Sequence, residues 1–420
     1  MKKKEFFPDG ISIDDWFYEV EIPKLDTLGK QYILTEYQIF DDGKVYTEKI
    51  QALIDMASVN GGGVIVVPKG TFLTGALFFK QGVHLYIEKG GVLKGSDDIS
   101  DYPICETRIE GETCNYYSAL INADGLDGFI MCGKGTIDGN GFRSWKAFWL
   151  RRAWNPECTN KDEQRPRLVY ISKCCNVTVA QLHLQNSHFW TNHIYKSHHV
   201  KYIHCRIYSP CAPVAAPSTD GIDIDVCKDV LIKHCYFEVN DDSVVLKGGK
   251  GPTANSAPEN GSNERILIED CTYGWCHSCL TCGSESIHNR NILVRRIRVK
   301  DAVRLVWLKM RSDTPQRYEY ITVEEVEGKV KHFIDICPWM QFFDMKGYEK
   351  LPLSYAENIK IKNCNCECDT YFKVTPGQGQ YILSDFSFEN LSIKAKNDGF
   401  SEDIIENVVI RNVNVDTQNC

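Results

Sequence analysis

Short stretches in which apolar and polar residues alternate recur along this chain. Asn176-Val177-Thr178-Val179, Val200-Lys201-Tyr202-Ile203, Val230-Leu231-Ile232-Lys233, Ile266-Leu267-Ile268-Glu269 and Asn291-Ile292-Leu293-Val294 look alike. Ile321-Thr322-Val323-Glu324, Asn358-Ile359-Lys360-Ile361, Phe386-Ser387-Phe388-Glu389 and Asn407-Val408-Val409-Ile410 continue the series. Alternation with a period of two predicts strands. A recurrence every 20 to 40 residues or so predicts a solenoid of short units. Helical patterns are missing between the units, which argues against a βαβ fold and a leucine-rich horseshoe. The expected fold is all-β, a parallel β-helix.

Thr47 to Ser58 breaks the pattern. Ile50, Leu53, Ile54 and Ala57 fall on one helical face, Thr47 is a plausible N-cap, and Gly61-Gly62-Gly63 follows. This amphipathic helix is expected to cover the open N-terminal end of the solenoid, where strand edges would otherwise be bare. Residues 1–38 read as an irregular lead-in and 39–420 as one β-helix domain. Residues 140–165, with Trp145, Trp149, Arg151, Arg152 and Trp154, read as a long loop. Its aromatic and basic residues suit a sugar-acid site or a packed lid.

Acidic residues crowd the middle of the chain. Ser218-Thr219-Asp220-Gly221-Ile222-Asp223 precedes Asn240-Asp241-Asp242, and His277 and Lys309 come later. The intervals are 22 residues from Asp220 to Asp242, 35 to His277 and 32 to Lys309. Each residue borders a strand-like run, and one coil per interval would stack those runs about 4.8 Å apart. Three carboxylates, an imidazole and an ammonium would then share one face. Such a set suits hydrolysis of a glycosidic bond, where one carboxyl protonates the leaving oxygen and another activates water. An isolated Asn-Asp-Asp is an ordinary turn; the ordered set favours chemistry.

Composition narrows the partners. The chain has 420 residues and a net charge of -8, which argues against a nucleic-acid partner. No apolar run approaches the roughly 18 residues of a membrane span. Met1-Lys2-Lys3-Lys4-Glu5-Phe6-Phe7-Pro8-Asp9 lacks the apolar stretch of a signal peptide, so a cytoplasmic location is expected. The 19 cysteines are odd in number and many sit at strand positions, including Cys205, Cys235, Cys271, Cys364, Cys366 and Cys368. They read as small buried hydrophobes in a reducing compartment. Cys276, Cys279 and Cys282 have metal-like spacing but share one short strand and its turn, so no metal is expected.

The ordered set resembles glycoside hydrolase family 28, the polygalacturonases and their rhamnogalacturonan-cleaving relatives. The likeness runs from Gly61-Gly62-Gly63 through Gly135-Thr136-Ile137-Asp138-Gly139, Arg165-Pro166-Arg167 and Ser187-His188-Phe189-Trp190-Thr191 to the last units. It implies a right-handed parallel β-helix and inverting hydrolysis with neither metal nor cofactor. On matching positions it implies Asp241 as general acid and Asp220 and Asp242 as the pair that activates water. His277 matches the family histidine, with Cys276 and Ser278 in place of flanking glycines. Asp223, Lys247 and Glu285 match supporting positions, His193 is a weaker candidate, and Asp225 reads as solvated.

One motif departs from the family. Its Arg-x-Lys, which binds a galacturonate carboxylate, reads Trp307-Leu308-Lys309 here. A bidentate clamp is lost and a stacking face gained. Arg304 and Arg311 lie near enough in sequence to compensate. The expectation is an exo-acting hydrolase of pectic oligosaccharides that prefers a neutral or decorated sugar beside the scissile bond. Alternatives are a polysaccharide lyase on the same fold and a sugar-binding β-helix with a degenerate site.

Overall fold

The computed structural model describes residues 4–375, 377, 379–397, 399 and 404–417. Lys2 and Lys3 of the N-terminal reading lie outside the described residues, as does Cys420. The alternating stretches form strands, and the strands stack in parallel. One sheet runs through Cys175–Ala180, His198–Ile203, Lys228–Lys233 and Ser262–Glu269 into the long strand His288–Arg311. A second runs through Thr136–Asp138, His183–Gln185, Arg206–Tyr208 and Tyr236–Glu238. A third runs through Val169–Ser172, Asn192–Tyr195, Ile222–Asp225, Asp242–Lys247 and Ser278–Cys282. Each coil gives one strand to each sheet, which makes a right-handed parallel β-helix.

The register stacks like on like. Val177, Val200, Val230, Ile266 and Ile292 pair in sequence down the first sheet, and all are buried in the main core. The asparagines that open several of these stretches have a job at the corners. Asn176, Asn291, Asn358 and Asn407 hold φ between 55° and 59°, a left-handed turn that asparagine tolerates better than most side chains. Further on, Asn412 donates to Asn390 and Asn390 to Asn363, both at 3.0 Å, as a ladder along the axis.

Helix α1 (Thr47–Val59) buries Ile50, Leu53, Ile54 and Ala57 against the first coils, as their spacing predicts. Thr47 is not its cap. The hydroxyl accepts instead from the Gly75 amide at 2.6 Å, which ties the helix to the coil beneath. Residues 140–165 are not simply a loop either, because Phe142–Trp154 forms a second helix, α2. Its face is set by polar tips as much as by apolar bulk: Trp145 Nε1 donates to the Ser187 carbonyl and Trp149 Nε1 to that of Ala215. The sequence also gave no sign of the antiparallel hairpin Ile104–Ile109/Glu112–Tyr117.

The lead-in is tied down. Gln31–Ile33 already pairs with Gly63–Val67 as a strand of the solenoid. Phe7, Ile13 and Phe17 form an apolar cluster with Leu231, Leu267 and Leu293, the outward residues of the first sheet. Ion pairs flank it, Asp9 with Arg290 at 3.1 Å and Glu5 with Arg295 at 2.7 Å. The segment is therefore a strap over the outer wall. Phe17 is 1% exposed, so Phe17→Ala is expected to cost about 3–5 kcal/mol in urea unfolding. An unchanged midpoint would show that the strap contributes nothing to stability.

Candidate active site

The third sheet builds the site through its register. Ile222, Val244, Leu280 and Val306 lie residue on residue and point into the core. Asp220 and Asp242 each precede this column by two residues, and Asp241 and His277 by three. The Gly221 amide donates to the Asp242 carbonyl and the His277 amide to the Asp241 carbonyl, both at 2.9 Å. The three carboxylates and the imidazole thus meet where these strands begin. Lys309 arrives from the next coil, its Nζ donating to Asp242 Oδ2 at 2.8 Å.

Asp220, Asp241, His277, Trp307, Lys309, Lys247 and Glu285 line one cleft of about 250 Å³. A larger hollow of about 560 Å³ between Asp270 and Asn365 holds no such set. Two cleft residues belong to the parts that sequence patterns concealed. Glu110 stands at the tip of the hairpin, and Arg152 comes from α2. Nothing in the local sequence announces Glu110, because the hairpin meets the site only through the fold. Its neighbour Gly111 packs so closely that a Cβ there would lie 2.8 Å from Glu285 Cβ.

The charges are arranged in pairs. Burial pushes the Asp220 carboxyl well up, helped by the negative charges of Asp241 and Asp223. Burial also acts to raise Asp241, but His277 Nδ1 at 3.3 Å and Lys309 outweigh it and hold the carboxyl down. His277 is raised in return: burial opposes its charge, yet the bond to Asp241 prevails. Glu285 is likewise held well below the usual range, because Lys247 and Arg311 overcome its burial. Lys247 lies 3.3 Å from Glu285 and 3.7 Å from Asp223.

Several expectations need correction. Asp225 is not solvated: it is 1% exposed, with Arg108 Nε at 3.1 Å and His193 Nε2 at 3.4 Å. The hairpin has folded over it. His193 does not line the cleft; burial pushes it down to about 4, and its Nδ1 accepts from Arg167 at 2.7 Å. Arg311 is fully buried, its guanidinium on Asp313 at 2.7 Å and on the Gln341 and Phe342 carbonyls. It positions that segment and cannot clamp a ligand. Arg304 is paired too, with Nε on Asp335 at 2.7 Å.

Trp307 lines the cleft but offers no open stacking face. It is 6% exposed, with the Arg304 guanidinium 3.6 Å and Lys309 Nζ 3.9 Å from its ring. Trp339, half-buried and edge-on to Trp307 at 5.5 Å, is the more accessible ring. The ground for a neutral-sugar preference at Trp307 is therefore gone. Cys276, Cys279 and Cys282 are buried in the core, and burial pushes Cys282 up to about 12. Among the described residues, one group brings metal-type donors within 4.8 Å of one another: Asp241, Asp242 and His277. The Lys309 ammonium already sits on Asp242, where a cation would have to compete with it.

Asp223 is wholly buried and neither of its oxygens has a hydrogen-bond partner. Burial pushes its carboxyl up to about 8 despite Lys247. A folded value above the unfolded one of about 3.9 means that the folded state holds the proton more tightly. That contribution is complete below about pH 4 and is lost as pH rises toward about 8. Asp223→Asn should therefore match wild type in Tm near pH 4 and exceed it near pH 8 by about 2 °C or more. An equal difference at both pH values would mean that Asp223 does not titrate in this range.

Comparison with known proteins identifies the family. The model of glycosyl hydrolases family 28 matches residues 64–306, a stretch that holds Asp220, Asp241, Asp242 and His277 and stops just before Trp307. A probable polygalacturonase of Vitis vinifera is 30% identical over 212 residues, 49% of this chain and 41% of that protein. An endo-polygalacturonase of Pectobacterium carotovorum subsp. carotovorum is 27% identical over 236 residues, 53% of this chain and 54% of that protein. The chain thus spans about half the length of these curated relatives. A hyperthermoactive exopolygalacturonase from Thermotoga maritima shares the fold, with a TM-score of 0.77 at 23% identity, covering 94% of this chain and 95% of that one. Since the family model covers more than half of the sequence, the chain belongs to glycosyl hydrolase family 28.

Proposed function

We propose that this protein is an exo-acting, inverting hydrolase of pectic oligosaccharides. The observation that carries the reading is the convergence of Asp220 and Asp241 in a short cleft with a hairpin across it, while the buried Asp242 is tied to the cleft through Lys309. Arg108 bonds to Asp225 and Asn260 and Arg167 to Thr107, so the hairpin is braced in place. Its tip reaches Gly249 and Glu285. Trp339, Gln341 and Phe342 wall the cleft from later coils. A cleft so bounded suits the end of a chain better than its middle. The relatives named above include both exo- and endo-acting polygalacturonases, so the mode rests on the hairpin.

Asp241 is the general acid in this reading. Its side chain is 25% exposed, whereas those of Asp242 and Lys309 beside it are 1% and 12%. A leaving oxygen can therefore approach it. His277 keeps a proton within 3.3 Å of the same carboxylate. A bound sugar strips water from Asp241, which favours its protonated form at the moment of transfer. Asp220 and Asp242 share the task of orienting and deprotonating water, with Lys309 holding Asp242 in place. The resting charges favour a proton on Asp220, so that proton must leave before Asp220 can act as base.

Leaving-group dependence separates the two roles. Asp241→Asn should lose about 100-fold or more in kcat on an oligosaccharide and recover much of it on an activated aryl glycoside. Asp220→Asn should be impaired on both. The reverse pattern would exchange acid and base. NMR of the first-formed sugar is expected to show inverted anomeric configuration, and net retention would end the inverting assignment. End-labelled oligomers should lose one terminal unit per turnover, with no unsaturated, ultraviolet-absorbing product of the kind a lyase makes.

A further inference from the structure

With Trp307 in the motif position, the cleft needs another way to read a uronate carboxylate. Its other cations are spoken for. Lys309 is on Asp242, Lys247 on Glu285 and Asp223, and His277 on Asp241. Arg304 and Arg311 are bound to Asp335 and Asp313. Arg152 differs from all of these. It lines the cleft, it is half-buried, and it has no carboxylate partner among the described residues. Its Nε donates to the Cys158 carbonyl at 3.2 Å, and the guanidinium carbon lies 4.9 Å from the Phe148 ring, one turn back on α2. These contacts fix one edge and one face. Neither Nη group has a hydrogen-bond partner among the described residues.

A second group lining the same cleft points to a ligand. Glu110 is 6% exposed; its Oε1 accepts from Asn160 at 2.9 Å, and its buried Oε2 has no partner. Burial and the neighbouring Glu285 both push this carboxyl up, which favours a form that can donate a hydrogen bond. Asn160 also accepts from Arg165 at 2.9 Å and from Ser218 at 3.3 Å, so the wall between Arg152 and Asp220 is braced. A planar, charged fork and an unsatisfied carboxyl in one cleft match a sugar that carries both a carboxylate and hydroxyls.

We propose that Arg152 binds the substrate's uronate carboxylate, taking over the task vacated at Trp307, while Glu110 takes a hydroxyl of the same sugar. The inference rests on the hydrolase reading above and deepens it. Arg152 comes from a coil before the catalytic ones and Trp307 from a coil after them. Carboxylate recognition has moved along the axis to the α2 side.

The test compares a short oligogalacturonide with its methyl ester, which keeps the sugar and removes the charge. On the acid, Arg152→Gln is expected to lower kcat/KM by about 10- to 100-fold, mainly through KM. On the ester it should change little. Arg152→Lys should recover part of the loss, since charge returns without the fork. KM for the acid should rise with salt in wild type and much less in Arg152→Gln. Equal losses on acid and ester, or no loss on the acid, would overturn the proposal. A wild type that cleaves the acid no better than the ester would do the same, leaving the hydrolase reading intact. A wild type that cleaves neither overturns that reading, and the carboxylate site with it.

Discussion

Parallel strands in register place each side chain directly over its counterpart, one strand spacing away. In a wall that is buried on both faces, two like charges so placed would repel in a poorly screened medium. The third sheet is organised around this constraint. Asp225 stands over Lys247, opposite in sign, in the third sheet's register. Asp223 stands over Val245 and leans toward Lys247 instead. Lys309 answers Asp242 from two strands further on. Arg108, reaching in from the hairpin, supplies the cation that Asp225 needs on its other side. Without these partners, the acidic residues that give the site its chemistry could not be packed one coil apart.

The same constraint sets the resting charges of the cleft. Its positive groups are placed unevenly. Lys247 and Arg311 surround Glu285 and hold it ionised, while His277 and Lys309 do so for Asp241. Asp220 is left with burial and negative neighbours, and so retains its proton most readily. Environments that push chemically identical groups apart are what allow carboxyls in one site to take different roles.

The repeat and the column of acidic residues beside the cleft were legible in the sequence because both obey short rules. Strand alternation has a period of two, and the stretch beginning at Asn176 shows it plainly. Asp220, Asp241, Asp242 and His277 sit at fixed offsets from in-register apolar residues. What stayed hidden depends on contacts between distant segments. Asp225 looks solvated from the alternation of its own strand, and its burial depends on His193 and on Arg108, 117 residues away. Helix α2 was obscured because tryptophan tips bonded to carbonyls anchor it as much as an apolar stripe does. Trp307 read as an open ring because nothing local says that Arg304 lies across it.

The strap over the outer wall has a consequence for how the molecule is made. Glu5 and Arg295 are 290 residues apart, and Asp9 and Arg290 are 281 apart. On a ribosome adding about 5–20 residues per second, the strap waits tens of seconds for the surface it covers. Coils of a solenoid can assemble against their neighbours as they appear. Phe7, Ile13 and Phe17 cannot, since Leu231, Leu267 and Leu293 do not yet exist. Phe7, Ile13 and Phe17 are thus left unsheltered far longer than residues that pack on the next coil, and in that interval they are open to chaperones and to aggregation.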